Sequence, residues 1–307
     1  MPDTPRPAGT SAPASTPASG QLHTHLRVPL DVQPLLATLA AHAVPGVERV
    51  TTAPDGRAGT VERLVRTAHG PVRVVAHLAP DDVEVRSDTP LDEGATDLAR
   101  RWFHLDDDLA VISSDLARDP TLASLVARRP HLRLLGHVDG FEVAAQTVLG
   151  QQVSLAAARV FTGRLAAAYG TPGAADLTLF PTPATIAHAD PDEVRAAVRV
   201  PAARARTLVA LAQACQDGLA LTAHNEPDAR DEARRRLLAV PGIGPWTVEY
   251  LALRVLADRD AFPTGDLVLR RALGVKTPAQ VAAAGAAWSP WRAYAAQHLW
   301  NAAAYER

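Results

Sequence analysis

Leu237-Leu238-Ala239-Val240-Pro241-Gly242-Ile243-Gly244-Pro245-Trp246-Thr247 is the stretch around which this chain is organised. One helix is expected to end near Ala239 and another to start near Pro245. Pro241 stops the first, and Pro245 suits the first turn of the second, where an N–H has no helical partner anyway. Gly242 and Gly244 permit positive φ and close approach of another backbone. Beyond the corner, Val248, Leu251, Ala252, Val255 and Leu256 fall at i, i+3, i+4, i+7 and i+8. That is an apolar helical face, expected to run to about Asp258. A tight glycine hairpin opening a helix presents unpaired N–H groups and the positive end of the helix dipole. Such a surface binds phosphate without Lys or Arg. The motif alone does not separate DNA binding from an ordinary helix–turn–helix corner.

Downstream, Phe262-Pro263-Thr264-Gly265-Asp266 leads into a helix beginning at Leu267. Asp266 therefore stands at an N-cap, a position where Asp contributes about 1 kcal/mol. Capping alone would account for it. The same placement also suits cleavage of an N-glycosidic bond. Positive charge builds on the sugar as that bond breaks. A fixed carboxylate stabilises the cation and orients or deprotonates an attacking water. One carboxylate suffices when the leaving base is already cationic, as an alkylated purine is, so the carboxylate pair of ordinary glycosidases is not required.

Composition restricts how DNA could be held. The 307 residues are 47% hydrophobic, enough for more than one core, and the formal net charge is −2. DNA contact must then come from a local patch or from backbone groups. Basic residues are almost all Arg, and the sole Lys is Lys276. The single cysteine, Cys215, excludes an intrachain disulfide and a Cys-based metal or iron–sulfur site, and is expected to be a buried helix residue. The chain contains no apolar run of membrane-spanning length. Residues 1–20 are mostly Pro, Ala, Ser, Thr and Gly. They read as a disordered tail and lack the pattern of a secretory signal, so a cytoplasmic protein without membrane contact is expected.

Working outward, residues 21–98 mix strand and helix signals. Strands are expected at 26–28, 61–67, 72–78 and 83–86, with His69-Gly70-Pro71 as a turn and a helix over 32–43. This is an α+β domain, and no catalytic constellation stands out in it. Residues 99–307 read as all-helical. Asp139 and Glu142 have capping-box spacing ahead of an apolar face formed by Phe141, Ala144, Ala145, Val148 and Leu149. Further helices are expected at 155–169, 183–189, 192–198, 202–215, 228–239, 278–287 and 290–305. The fold class is mostly α with an N-terminal α+β domain.

Taken together, residues 137–142, 149–154, 180–183, 240–250, 262–271 and 288–300 resemble the helix–hairpin–helix DNA glycosylase superfamily. Within it they resemble the AlkA-type bacterial 3-methyladenine DNA glycosylases II, over roughly the last two-thirds of the chain. The resemblance implies a small TATA-binding-protein-like domain at 21–98 and two helical lobes flanking an active-site cleft. It implies Asp266 as the catalytic carboxylate and Trp246, Tyr250 and Trp300 as aromatics of the base pocket. Stacking and cation–π attraction for a cationic purine there are worth about 1–2 kcal/mol. Trp288 and Trp291 read as structural. Gly242, Gly244, Thr247, Gln151 and Gln152 would contact DNA, with Gln152 at the wedge position that holds a flipped base out of the stack.

The resemblance further implies a monovalent or divalent structural cation on the main-chain carbonyls of Leu238, Val240 and Ile243, and no cofactor for catalysis. Related glycosylase/lyases carry a Lys in this hairpin for a Schiff base. Here that position is Trp246, so base removal without strand cleavage is expected. Two departures stand out: Gln152 is an amide where an apolar wedge is usual, and Thr264-Gly265 replaces Pro-Asp before Asp266. The expected partner is double-stranded DNA with a flipped damaged base, bound by a monomer. Alternatives are a non-catalytic DNA-damage-binding module, or a glycosylase for another purine lesion such as hypoxanthine.

Overall fold

The computed structural model describes residues 22–305, so the tail expected over 1–20 lies outside the described residues. Five strands form one antiparallel sheet in the order β1-β5-β4-β3-β2. They are β1 (His23–Leu26), β2 (Glu48–Thr52), β3 (Gly59–Thr67), β4 (Gly70–Ala79) and β5 (Asp82–Ser87). Alternation decides the faces. Val72, Val74, Ala76 and Leu78 of β4 and Val83 and Val85 of β5 are buried beneath α1 (Val32–His42) and α2 (Gly94–Phe103). The other face carries polar pairs such as Arg73–Glu62 at 2.6 Å, the usual division for an antiparallel sheet with one wet side.

The sequence expectations shift in three places here. The first strand starts at His23, and its Leu26 pairs with Val83. Gly70 and Pro71 belong to β4, because Thr67 pairs directly with Gly70 and only Ala68-His69 make the turn. Pro71 is tolerated at this end of β4, where β5 has not begun to pair; that ladder starts at Val74. The division expected after residue 98 falls inside α2. Its Ala95, Leu98, Ala99, Trp102 and Phe103 all lie in the sheet's core, together with Leu105 and Leu135. Helical periodicity reveals such a helix but not which core it faces.

The rest is helical apart from a short antiparallel pair, Thr171–Pro172 with Thr178–Leu179, that the all-helical expectation for 99–307 missed: α3 (Leu109–Leu116), α4 (Pro120–Arg128), α5 (Gly140–Leu149), α6 (Leu155–Tyr169), α7 (Pro183–Ala187), α8 (Pro191–Val198) and α9 (Ala202–Gln216). Then come α10 (Pro227–Ala239), α11 (Pro245–Arg254), α12 (Leu267–Ala272), α13 (Pro278–Ala284) and α14 (Arg292–Tyr305). The chain is thus mostly helical with a small antiparallel sheet domain at its N-terminal end. The five expected apolar residues of α5 are all buried. Helix α11 stops at Arg254 rather than near Asp258, and Ala257 takes a left-handed φ of 55°. Val255 and Leu256 continue the apolar spacing because they are buried as turn residues. Cys215 lies on α9 but is only half-buried, and burial pushes its thiol up to about 12.

The capping-box spacing at α5 is used differently. Asp139 accepts from the N–H of Phe141 and of Glu142, at 2.9 and 3.1 Å. The Glu142 carboxylate turns away to a buried ion pair with Arg63 of β3, which also meets Glu48 of β2 at 3.2 Å. That pairing ties the sheet to the helical body. Trp288 and Trp291 are structural: their indole N–H groups donate to Asp119 at 2.8 Å and Asp115 at 3.0 Å, fastening the α13–α14 segment to α3 and α4. No helix among the described residues is long and apolar enough to cross a membrane.

Candidate active site

The α10–α11 corner forms as its sequence requires. Helix α10 ends at Ala239, Ile243 N–H closes a turn onto the Val240 carbonyl at 3.0 Å, and α11 opens with Pro245 at its first position. Gly242 sits at φ +90°, and a Cβ there would lie 2.1 Å from Thr207 Oγ1 on α9, so this position demands glycine. Gly244 is the N-cap, has no side chain to cap with, and faces open space. The N–H groups of Trp246 and Thr247 therefore find no acceptor among the described residues. They are the free donors of a helix N-terminus.

The loop between α5 and α6 abuts this corner. Gln151 Nε2 donates to the Gly242 carbonyl at 3.1 Å and to Thr247 Oγ1 at 3.3 Å, while Arg204 donates to the Gln151 carbonyl at 2.6 Å. Gln151 is thus an internal brace. Its neighbour Gln152 is exposed, with a left-handed φ of 55° that non-glycine residues seldom adopt.

Asp266 caps α12 and does more. Its Oδ1 accepts from the N–H of Val268 at 2.8 Å, the N–H of Leu269 at 2.9 Å and the Trp300 indole N–H at 3.2 Å. Its Oδ2 accepts from the Trp246 indole N–H at 3.1 Å. A glycine precedes it, and Gly265 lies against the Trp246 side chain. The carboxylate is therefore fixed by two backbone donors and by two of the three expected aromatics. The third, Tyr250, stacks on Trp246 with centroids 5.3 Å apart and is tilted 58° to Trp300 at 6.2 Å. Arg254 Nη1 donates to the Tyr250 hydroxyl at 3.0 Å, and its Nε donates to the Leu135 carbonyl at 2.8 Å.

Beside this group opens a cleft of about 880 Å³, within the range of small-molecule sites. Tyr250 and Trp300 form part of its wall, with Leu155 of α6 and Val268 of α12. Asp266 and Trp246 do not line it; Asp266 is joined to its wall through the Trp300 indole, and Trp246 through its stack on Tyr250. Its charged wall residues are Arg254 and Arg271, and no carboxylate lines it.

Another part of the wall is α1 of the sheet domain, through Ala37, Thr38, Ala41 and His42. Sequence reasoning missed this contribution. His42 occupies the last turn of an apolar helix, and no local spacing announces that this turn faces a cleft. Burial, and secondarily the nearby Arg254 charge, lower His42 to about 4, so its imidazole is neutral.

Two family profiles match the chain: "AlkA N-terminal domain" over residues 21–139 and "HhH-GPD superfamily base excision DNA repair protein" over residues 145–275. The chain is 40% identical to a "Probable bifunctional transcriptional activator/DNA repair enzyme AlkA" of Mycobacterium tuberculosis (strain ATCC 25618 / H37Rv), an alignment covering 94% of this chain and 58% of that relative. It thus spans under two-thirds of that protein's length. It is 34% identical to the DNA-3-methyladenine glycosylase 2 of Escherichia coli (strain K12), over 89% of this chain and 94% of the relative. Among solved structures, a 3-methyladenine DNA glycosylase from Archaeoglobus fulgidus shares the fold, with a TM-score of 0.75 at 17% identity, over 93% of this chain and 99% of that one.

Proposed function

We propose, from the fact that the chain belongs to the AlkA type of the HhH-GPD superfamily of base excision DNA repair proteins, that it hydrolyses the N-glycosidic bond of alkylated purines in DNA. The carrying observation is Asp266, held by four donors, one of them the indole of Trp300 in the wall of an aromatic-walled cleft, and another the indole of Trp246 in a hairpin with free N–H groups. The N–H groups of Trp246 and Thr247 hold a backbone phosphate of double-stranded DNA, with Gly244 leaving the approach clear. The damaged nucleotide flips out, as enzymes acting on a base require, and exposed Gln152 fills the vacated stack and hydrogen-bonds the orphaned base. The base enters the cleft against Tyr250 and Trp300. Its sugar then lies near Asp266, whose negative charge stabilises the developing cation and orients the attacking water.

The product is an intact strand with an abasic site. A Schiff base needs an amine in the hairpin, and that position is Trp246; the sole Lys, Lys276, is exposed beyond α12. The carbonyls of Leu238 and Ile243 accept no hydrogen bond among the described residues, and Val240 retains one free lone pair. These three oxygens suit a structural monovalent or divalent cation, a hard ion that takes oxygen ligands. Such a cation would stiffen the hairpin. We assign the protein to a monomeric, cytoplasmic role on bacterial chromosomal DNA. The test is incubation with methylated DNA and chromatography of the bases released, with strand integrity read on neutral gels. Release of 3-methyladenine or 7-methylguanine with intact strands is expected, and absence of any released base would overturn the reading.

A further inference from the structure

The sheet domain contributes a side chain to the cleft whose hydrogen-bonding capacity is unspent. His42 lines the same cleft as Tyr250 and Arg254. Its Nδ1 lies 2.8 Å from the Thr38 carbonyl, one turn back on α1. A carbonyl can only accept, so Nδ1 carries the proton, and in a neutral ring Nε2 is then a bare acceptor. That Nε2 makes no hydrogen bond among the described residues. His42 is held from behind as well: its own carbonyl accepts from Gln146 of α5 at 2.8 Å, and the next carbonyl, of Ala43, accepts from Arg159 of α6 at 2.6 Å. The end of α1 is thus docked on the helical body, and the imidazole has a fixed place in the wall.

Arg254 is the complementary group. Three of its five N–H donors are used, on Tyr250, Leu135 and Gly136, which leaves donors unspent on the same wall. An acceptor and a donor facing one cleft match the edge of a purine. That edge pairs an N–H with an adjacent acceptor, as the N6 amino group and ring nitrogen of an adenine do, or the N1–H and O6 of a guanine.

We propose that His42 is a specificity-determining residue, whose free Nε2 accepts an N–H from the edge of the extruded purine while Arg254 donates to the neighbouring acceptor. This rests on the glycosylase reading above and adds a role for the sheet domain. Substrate selection becomes a property of both domains, because neither the sheet nor the helical body alone supplies both groups.

The test compares the unaltered protein with His42→Phe, which keeps a flat ring and removes the acceptor, and His42→Gln, which restores an acceptor oxygen. Three quantities are read: kcat/KM for 3-methyladenine release from methylated DNA, affinity for duplex DNA containing an abasic site, and Tm. One neutral hydrogen bond corresponds to roughly a three- to tenfold loss of kcat/KM for His42→Phe. His42→Gln should recover most of it. Affinity for abasic DNA, which offers no base edge, and Tm should stay put in both variants. Undiminished kcat/KM in His42→Phe would overturn the proposal. So would a parallel fall in abasic-DNA affinity, or an equal loss in His42→Gln. If the unaltered protein releases no methylated base, the glycosylase reading fails instead, and the two failures are distinct.

Discussion

Replacing Asp266 by Asn changes one charge and almost nothing else. Three of the four donors around the carboxylate meet Oδ1, and an amide oxygen can take them all. The cap on α12 survives, since Asn caps as well as Asp. The fourth donor, the Trp246 indole, meets Oδ2, where an amide nitrogen sets donor against donor. That mismatch costs about 1–3 kcal/mol of stability, too little to unfold a domain of this size. The lost charge matters far more during the reaction. A cation about 4 Å from a carboxylate, at an effective dielectric of about 20, is stabilised by about 4 kcal/mol. Losing that slows base release by roughly a thousandfold. In the proposed reading DNA is held by the hairpin's backbone N–H groups, so binding should change by less than about threefold, under 1 kcal/mol. The assay is single-turnover release of 3-methyladenine from methylated DNA, with binding measured on the same duplex. Release at the unaltered rate would refute the mechanism, as would a loss of binding that matches the loss of release.

Phe in place of Trp246 keeps the ring against Tyr250 and removes only the indole N–H to Oδ2, so release should slow by roughly ten- to a hundredfold, the worth of one hydrogen bond to a charged group. Phe in place of Trp300 should slow it less, because Oδ1 retains two backbone donors, and the opposite order in single-turnover rates would contradict this geometry. Gly244→Val should fold normally and weaken DNA binding, because its Cβ enters open space in front of the free N–H groups. Gly242→Val should instead lower Tm, its Cβ meeting Thr207; unchanged DNA affinity in Gly244→Val would remove the phosphate role from the hairpin. Asp107→Asn should cost about 1–3 kcal/mol near neutral pH, since it weakens a part-buried pair with Arg259 at 2.7 Å and perturbs the bond from the Tyr294 hydroxyl at 2.6 Å. Burial would raise the Asp107 carboxyl, but hydrogen bonds from His104 and Arg259 outweigh it and hold the group well below the usual carboxylate range. A depressed carboxyl gives stability that is present above its unfolded pKa of about 3.9 and fades as pH falls below it. Denaturation curves of the two proteins should therefore converge in acid, and a gap that widens there would contradict the assignment.

The helical corner, its glycines and the cap at Asp266 were legible in the sequence because each depends on neighbours within a few residues. Pro241, Gly242 and Pro245 dictate a turn wherever they stand, and Asp266 before Leu267 dictates a cap. Contacts that close over long sequence separations were not legible. Glu142 has capping-box spacing, yet it pairs with Arg63 because β3 happens to lie beside α5. Helix α2 carries a clear apolar face, but only the assembled sheet shows which core receives it. His42 is the sharpest case: it reaches a cleft shared with α11 and α14 because the end of α1 docks on α5 and α6, and nothing within ten residues of it records that docking. The resemblance placed Trp246, Tyr250 and Trp300 near one another. That two of their indoles grip the carboxylate itself became visible only in three dimensions.

The Gln151 amide bridges two segments far apart in sequence, the loop that carries Gln152 and the hairpin that carries the free N–H groups. With Arg204 gripping its carbonyl, that residue works like the hinge pin of a pair of calipers locked at one opening. In the proposed reading one jaw is the tip that enters the stack, and the other is the pad that rests on a phosphate. On that reading a duplex whose phosphate spacing and base gap match the locked opening would be seated at both points together, whereas an undistorted one would be touched at the pad alone. In these terms the proposed enzyme would gauge how far a duplex yields before it meets the chemistry of any base.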